Sequence, residues 1–288
     1  MVTPAPIPAL FDGSRALLLM VPANRPHRFR KAAEAGADAV IVDLEDAVPE
    51  ADKDSARAGL HSALSGLKTR VPLLVRINGA DSPWHEQDLA ALCGLPIAGV
   101  LLSKSERVSD LDRLSSLLGG RHRVVALVES VLGFVAVRSL AHAAGRLAFG
   151  SFDLSADLGV AHTREALLAA RFEMVLASRL ASLPEPIDGA TAAIDDAAAI
   201  ESDAAHAAEL GFFGKLLIHP RQVAPAARGL RPAADAISWA QRVIAAGGPD
   251  ALAVVDGAMV DRPVRLRAEW ILRRAGLMQT QQQKRGAP

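Results

Sequence analysis

Two acidic residues stand out by position. Glu129 follows the apolar run "VVALV", and Asp153 follows "LAFGSF". A carboxylate at the exit of a buried strand is costly unless a cation or a hydrogen-bond network meets it. Two of them, one strand–helix repeat apart, suggest a shared metal. The ligands are oxygens with no matching His or Cys cluster, which favours a hard cation, Mg²⁺ or Mn²⁺. The bland alternative is that each acid caps a loop or pairs with an arginine.

Other strand ends carry chemistry of the same kind. Glu45 and Asp46 in "DLEDAV" could hold metal-bound water or simply favour the start of the next helix. Asp43, just before them, faces either the interior or a neighbouring strand. Arg76 ends "PLLVR" and would be buried there. It could clamp a substrate carboxylate in bidentate fashion or pair with one of those acids. Arg25, His27, Arg28, Arg30 and Lys31 cluster after the first apolar run. Cations at a helix start oppose its dipole, so either a phosphate-bearing ligand or plain solvent compensates them. His219, before Pro220, reads as a hydrogen-bonded structural residue, and Cys93 as inert.

Positioning these groups takes a repeated scaffold. Apolar runs "ALLLMV", "DAVIVDL", "PLLVRI", "AGVLLS", "RVVALV", "RLAFG", "EPIDG" and "GKLLIH" alternate with helical segments. Continuous apolar strands suit a parallel sheet covered on both faces. Eight such units predict an α/β fold, a (β/α)8 barrel whose catalytic groups sit at the C-terminal strand ends. An open doubly wound sheet is the alternative, but no G-x-G-x-x-G follows the first strand. The expected organisation is a barrel over 14–230, a helical extension over 231–276 that caps the barrel or reaches a neighbouring subunit, and flexible tails at 1–13 and 277–288.

Composition narrows the class. Of 288 residues, half are hydrophobic, and 32 basic residues balance 32 acidic ones. A nucleic-acid binder would normally carry a basic excess. The single cysteine excludes an internal disulfide and fits a cytoplasmic protein. The run "ALLLMVPA" is too short to span a bilayer.

The pieces "VPANRPHRFRKAAEAGADAVIVDLEDAV", "VRINGADSPWHEQDL", "VESVLG", "FGSFDLSADLG", "GFFGKLLIHPRQV" and "DGAMVDRP" occur in one order. Together they resemble the citrate lyase beta-subunit-like family, within the metal-dependent aldolase/citrate lyase barrels, from about Arg15 to Gly276. The resemblance implies a lyase that binds Mg²⁺ through Glu129 and Asp153, with Arg76 on the substrate carboxylate and Glu45 and Asp46 supporting metal-bound water. It places the coenzyme A nucleotide on the basic segment of Arg25, Arg28 and Lys31. It also makes Asp261 an acid/base delivered from a neighbouring subunit of a homotrimer. On its own, Asp261 reads only as an acid in a turn before proline. The implied reaction splits a 3-hydroxy-3-carboxyacyl-CoA, such as malyl-, citramalyl- or citryl-CoA, into a 2-oxo acid and an acyl-CoA. Alternatives on the same residues are a thioesterase or malate-synthase-like activity, a CoA-independent 2-oxo acid aldolase, and a citryl-carrier-protein lyase subunit of a larger complex. Ala23, Phe152 and Phe213 depart from the family pattern, and Phe152 bears on the choice of acid.

Overall fold

The structure is a computed structural model that describes residues 9–246 and 253–278. The remainder of both expected tails, 1–8 and 279–288, lies outside the described residues. Seven parallel strands form one sheet: β1 (Ala16–Pro22), β2 (Ala39–Asp43), β3 (Leu73–Ile77), β4 (Gly99–Leu102), β5 (Val124–Val128), β6 (Arg146–Phe149) and β7 (Gly214–Leu217). Their order is β6-β5-β4-β3-β2-β1-β7.

Two isolated parallel bridges, Ala148 to Ile187 and Asp188 to Lys215, join the outer edges. Ile187 and Asp188 thus hold the place of an eighth strand, and the sheet closes as a TIM barrel. The expected strand "EPIDG" shrinks to these two residues. Pro184 and Pro186 flank its start, and proline cannot donate to a ladder.

Strand positions alternate between two cores, as a sheet buried on both faces requires. Leu18, Ile41, Leu74, Leu101, Leu127 and Leu216 fill the inside. Leu19, Val42, Val75 and Val100 pack outward against the helical layer. That layer consists of α1 (Phe29–Ala33), α2 (Glu50–Ser65), α3 (His85–Ala91), α4 (Val108–Leu118), α5 (Val131–Ala143), α6 (Ser151–Leu158), α7 (Leu168–Leu180), α8 (Ala197–Leu210) and α9 (Val223–Leu230).

The two ends of the barrel differ. The N-terminal end is sealed: Leu10 and Phe11 are buried in the inner core, so this part of the expected loose arm is a plug. The fully buried Arg146 donates to the carbonyls of Leu10, Ser14, Glu185 and Phe213. With no carboxylate bonded to it, burial pushes its guanidinium down to about 10. At the C-terminal end, Asp43, Arg76 and Glu129 replace apolar residues in the same alternation.

The extension has a small core of its own. Helices α10 (Ala234–Ala245) and α11 (Arg262–Arg274) and a hairpin of β8 (Ala253–Val255) and β9 (Ala258–Val260) enclose Val243, Val255, Val260, Ala268 and Ile271. The sequence shows only a turn-rich apolar segment there. Its hairpin signal is Asp256-Gly257, both at positive φ (52° and 80°), as a two-residue turn of the tight hairpin type needs. Arg274 fastens α11 to the barrel through the carbonyls of Ala208 and Phe212. It also lies over the rings of Trp270 and Phe213. Phe212 and Phe213 lead into β7, so this anchor sits at the sealed end. Among the described residues, no helix is long and apolar enough to cross a membrane.

Candidate active site

The open end of the barrel centres on Arg76, in β3 and buried. Its Nε and Nη2 donate to the two oxygens of Asp43 in β2, each at 2.6 Å, and its Nη1 lies 2.8 Å from Glu45 Oε2. Adjacent strands in register produce the pairing, since Asp43 and Arg76 are cross-strand partners. Asp43 also accepts from the amides of Glu45 and Ala47, which folds the β2–α2 loop over the rim. A guanidinium has five N–H donors, and these bonds use three. Asp43 therefore takes the bidentate fork, the pairing with an acid that was the alternative to a substrate clamp, and two N–H groups make no hydrogen bond among the described residues.

Lys53 and Lys104 complete the frame. Lys53, from α2 and buried, donates to the carbonyls of Leu44 and Glu45 and to Asn78 Oδ1. Lys104 follows β4 at φ 46°, a region a non-glycine residue enters at a cost that surrounding structure must over-determine. The reason is visible: its amide donates to Glu129 Oε1 at 2.8 Å and its Nζ to Glu45 Oε1 at 2.6 Å. Left-handed backbone at a lysine leaves no trace in residue type.

Glu129 sits at the end of β5 and is buried. Its only hydrogen bond among the described residues comes from the Lys104 amide. Burial, then the charges of Glu45 and Asp153, push its carboxyl up to about 8. Asp153 lies in the first turn of α6, and no hydrogen bond or ion pair engages it among the described residues. Glu45, buried, would rise by desolvation, yet Arg76 and Lys104 outweigh this and hold it below the usual carboxylate range. Asp46 is more exposed; partial burial and the Glu45 charge push it up to about 6.

The donor set fits a hard divalent cation. Five carboxyls (Asp43, Glu45, Asp46, Glu129, Asp153) face three cations (Arg76, Lys53, Lys104). With all ionised, two negative charges are left over. Among the described residues Glu129 accepts one hydrogen bond and Asp153 none, and these two are the pair that would ligate the ion. Mg²⁺ keeps several waters, so two carboxylates suffice. Among the described residues no group of three or more His, Cys, Asp or Glu is placed to hold a metal ion, so the candidate site rests on two carboxylates. A cavity of about 600 Å³ lies alongside, lined by Glu45, Asp46, Lys53, Trp84 and Lys104.

The other expected residues do not join this cluster. Arg25, Arg28 and Lys31 are exposed around α1, and Arg25 lines a separate cleft of about 240 Å³ against α2. Asp261 caps α11, accepting from the Val264 amide at 3.0 Å, and among the described residues it makes no ion pair. His219 caps the short turn before α9, accepting from the Arg221 amide, which is the structural role its sequence position suggested.

A closed parallel barrel with converging charges at its C-terminal rim is the architecture of a barrel enzyme. The chain belongs to the HpcH/HpaI aldolase/citrate lyase family, whose model matches residues 16–220. A citrate lyase subunit beta-like protein of Mycobacterium tuberculosis is 36% identical over 267 residues, covering 90% of this chain and 94% of the relative. A (3S)-malyl-CoA thioesterase of Cereibacter sphaeroides is 32% identical over 258 residues, covering 85% and 88%. Among solved structures, CitE of Mycobacterium tuberculosis in complex with magnesium, acetoacetate and coenzyme A superposes with a TM-score of 0.80 at 34% identity, over 91% of this chain and 98% of that one. The chain is thus a member of an enzyme family of lyases and aldolases.

Two outcomes follow from the geometry. A Cβ at Gly150 would lie 2.3 Å from Glu129 Cβ and 2.5 Å from its Oε2, so Gly150→Ala displaces the carboxylate. It should abolish Mg²⁺-induced thermal stabilisation while leaving the circular dichroism spectrum intact. The raised Glu129 value sets the pH dependence. Its folded value lies above the ordinary 4.5, so the metal-free fold favours the protonated acid, and stability from this group falls as pH rises toward about 8. Mg²⁺ needs the ionised form and must displace that proton. The Mg²⁺-induced rise in Tm should therefore be larger at pH 8.5 than at pH 6; equal rises would contradict the assignment.

Proposed function

We propose that this chain is a Mg²⁺-dependent carbon–carbon lyase acting on a 3-hydroxy-3-carboxyacyl-CoA, with malyl-, citramalyl- and citryl-CoA as the candidate substrates. The products would be a 2-oxo acid and an acyl-CoA. The observation that carries the reading is the pair Glu129 and Asp153, two under-partnered carboxylates beside a buried arginine at the barrel rim. A relative bound to magnesium, acetoacetate and coenzyme A supports it.

Each residue then has a task. Glu129 and Asp153 hold the ion, which when bound would act as a Lewis acid toward the substrate's hydroxyl oxygen. The two free N–H groups of Arg76 take the substrate carboxylate, while Asp43 fixes the guanidinium plane. Glu45 and Asp46 would support the water held by that ion. Arg25, Arg28 and Lys31 meet the phosphates of the coenzyme A nucleotide. Asp261 holds the proton that is returned to the carbon α to the thioester. In this reading the Asp261 that serves a given rim would come from a neighbouring subunit of a homotrimer, as the family resemblance implies; the fastening of α11 at the sealed end of its own barrel is in keeping with that. The exposed Val254 and Met259, paired across the hairpin, suit a subunit contact. The single cysteine fits a cytoplasmic enzyme.

A second reading is thioester hydrolysis, favoured by the similarity to a (3S)-malyl-CoA thioesterase. One assay separates the two. Purified protein with Mg²⁺ is offered malyl-, citramalyl- and citryl-CoA while 2-oxo acid and free thiol are followed. Lyase action releases 2-oxo acid without thiol; hydrolysis releases thiol. Asp261→Asn should lower lyase turnover by roughly 10²–10⁴-fold. No 2-oxo acid from any substrate, or full turnover in Asp261→Asn, would contradict the proposal.

A further inference from the structure

A second set of buried charges lies outside the rim cluster, between the barrel wall and helices α7 and α8. Asp188 and Lys215 are wholly buried on the closing strand positions. Asp188 accepts from Arg171 Nε and from Lys215 Nζ, both at 3.0 Å. Lys215 also donates to Gly189 O and Asp203 Oδ2, each at 2.8 Å, so its three donors are used. Arg164 donates to Ser202 Oγ at 3.0 Å, and its Nε lies 3.9 Å from Asp203 Oδ1.

The charges do not balance. Three cations, Arg164, Arg171 and Lys215, face two acids, Asp188 and Asp203. The loosest pair is that of the exposed Arg164, whereas Arg171 is buried and paired with Asp188 through Nε alone. Only 4% exposed, Arg171 makes no other hydrogen bond among the described residues. Its Nη1 is shut from solvent with no acceptor, as is Nε2 of nearby His206. A buried guanidinium left in this state is costly. Burial and the charges of Arg164 and Arg171 also lower the His206 value, in keeping with a positive field.

Beside these groups opens a cavity of about 390 Å³, lined by His162, Arg164, Arg171, Thr191, Ser202 and Asp203. We propose that it binds a small oxyanion, a carboxylate or phosphate group carried by a molecule no larger than a short dicarboxylic acid. The planar donors of Arg171 and Arg164 match such a group, and Ser202 supplies a hydroxyl. None of these residues belongs to the rim cluster. The cavity still touches the helix that carries Asp153: His162 Nε2 lies 3.0 Å from Ser151 Oγ, and its ring stacks on Phe152 at 4.2 Å.

The test is calorimetric titration of the Mg²⁺-loaded full chain with inorganic phosphate and, separately, with succinate. Saturable binding of either is expected, and which one binds decides between phosphate and carboxylate chemistry. Arg164→Gln should weaken that binding at least tenfold. Ser202→Ala should weaken it severalfold, and neither should change Mg²⁺-dependent turnover measured without the anion. Absence of saturable binding for both anions would overturn the proposal. So would binding unchanged in both variants, which would place the anion elsewhere, as on the Arg28 and Lys31 face.

Discussion

The rim depends on one ion pair. Arg76 reaches into the top of the barrel, where an unpaired guanidinium could not be kept, and Asp43 on the next strand meets it with both oxygens. From that pair the neighbouring geometry follows. Asp43 gathers the amides of Glu45 and Ala47, which brings Glu45 onto Arg76. Glu45 in turn holds Lys104, whose amide reaches Glu129. The chain of contacts thus runs across β2 to β5 and fixes where Glu129 stands. Removing one member would leave its partner buried and charged, which is why such pairs are expensive to break even when they add little net stability.

The barrel separates structural charge from chemical charge by its two ends. At the sealed end, Arg146 is satisfied by carbonyls alone and closes the interior. At the open end, acids outnumber cations, and the surplus falls on Glu129 and Asp153. A low-dielectric wall strengthens this imbalance. Burial and the neighbouring acids raise the Glu129 carboxyl to about 8, an environment that a cation would relieve. Apolar burial on both strand faces supports the arrangement, since the same pleat that buries Leu127 points Glu129 to the rim.

Much of this was legible in the chain. The apolar runs mark strands because burial on both faces leaves no polar alternation, and the polar or charged residue after several runs, such as Asp43, Arg76 and Glu129, marks the rim. What escaped has physical causes. The strand at Ile187 and Asp188 is two residues long because prolines interrupt its ladder, so its apolar content misleads. Arg76 allowed two readings, a substrate clamp or a pair with a rim acid, because strand register, which pairs it with Asp43, is set by closure of the whole barrel. Lys104 was missed because its importance lies in backbone conformation and an amide. The charge cluster of Arg171, Asp188, Asp203 and Lys215 joins residues far apart in sequence, with no motif to link them. Asp261 gained meaning from family resemblance alone, since its contacts within one chain are those of an ordinary helix cap.

The central claim is that surplus carboxylate at the rim makes one divalent site from Glu129 and Asp153. Counting bound Mn²⁺ per chain by electron paramagnetic resonance tests it most directly, because free and bound ions differ in signal. One ion per chain is predicted for the native protein and for Asp46→Asn, with loss of that site in Glu129→Gln and in Asp153→Asn. Full occupancy in either of those two variants would contradict the account.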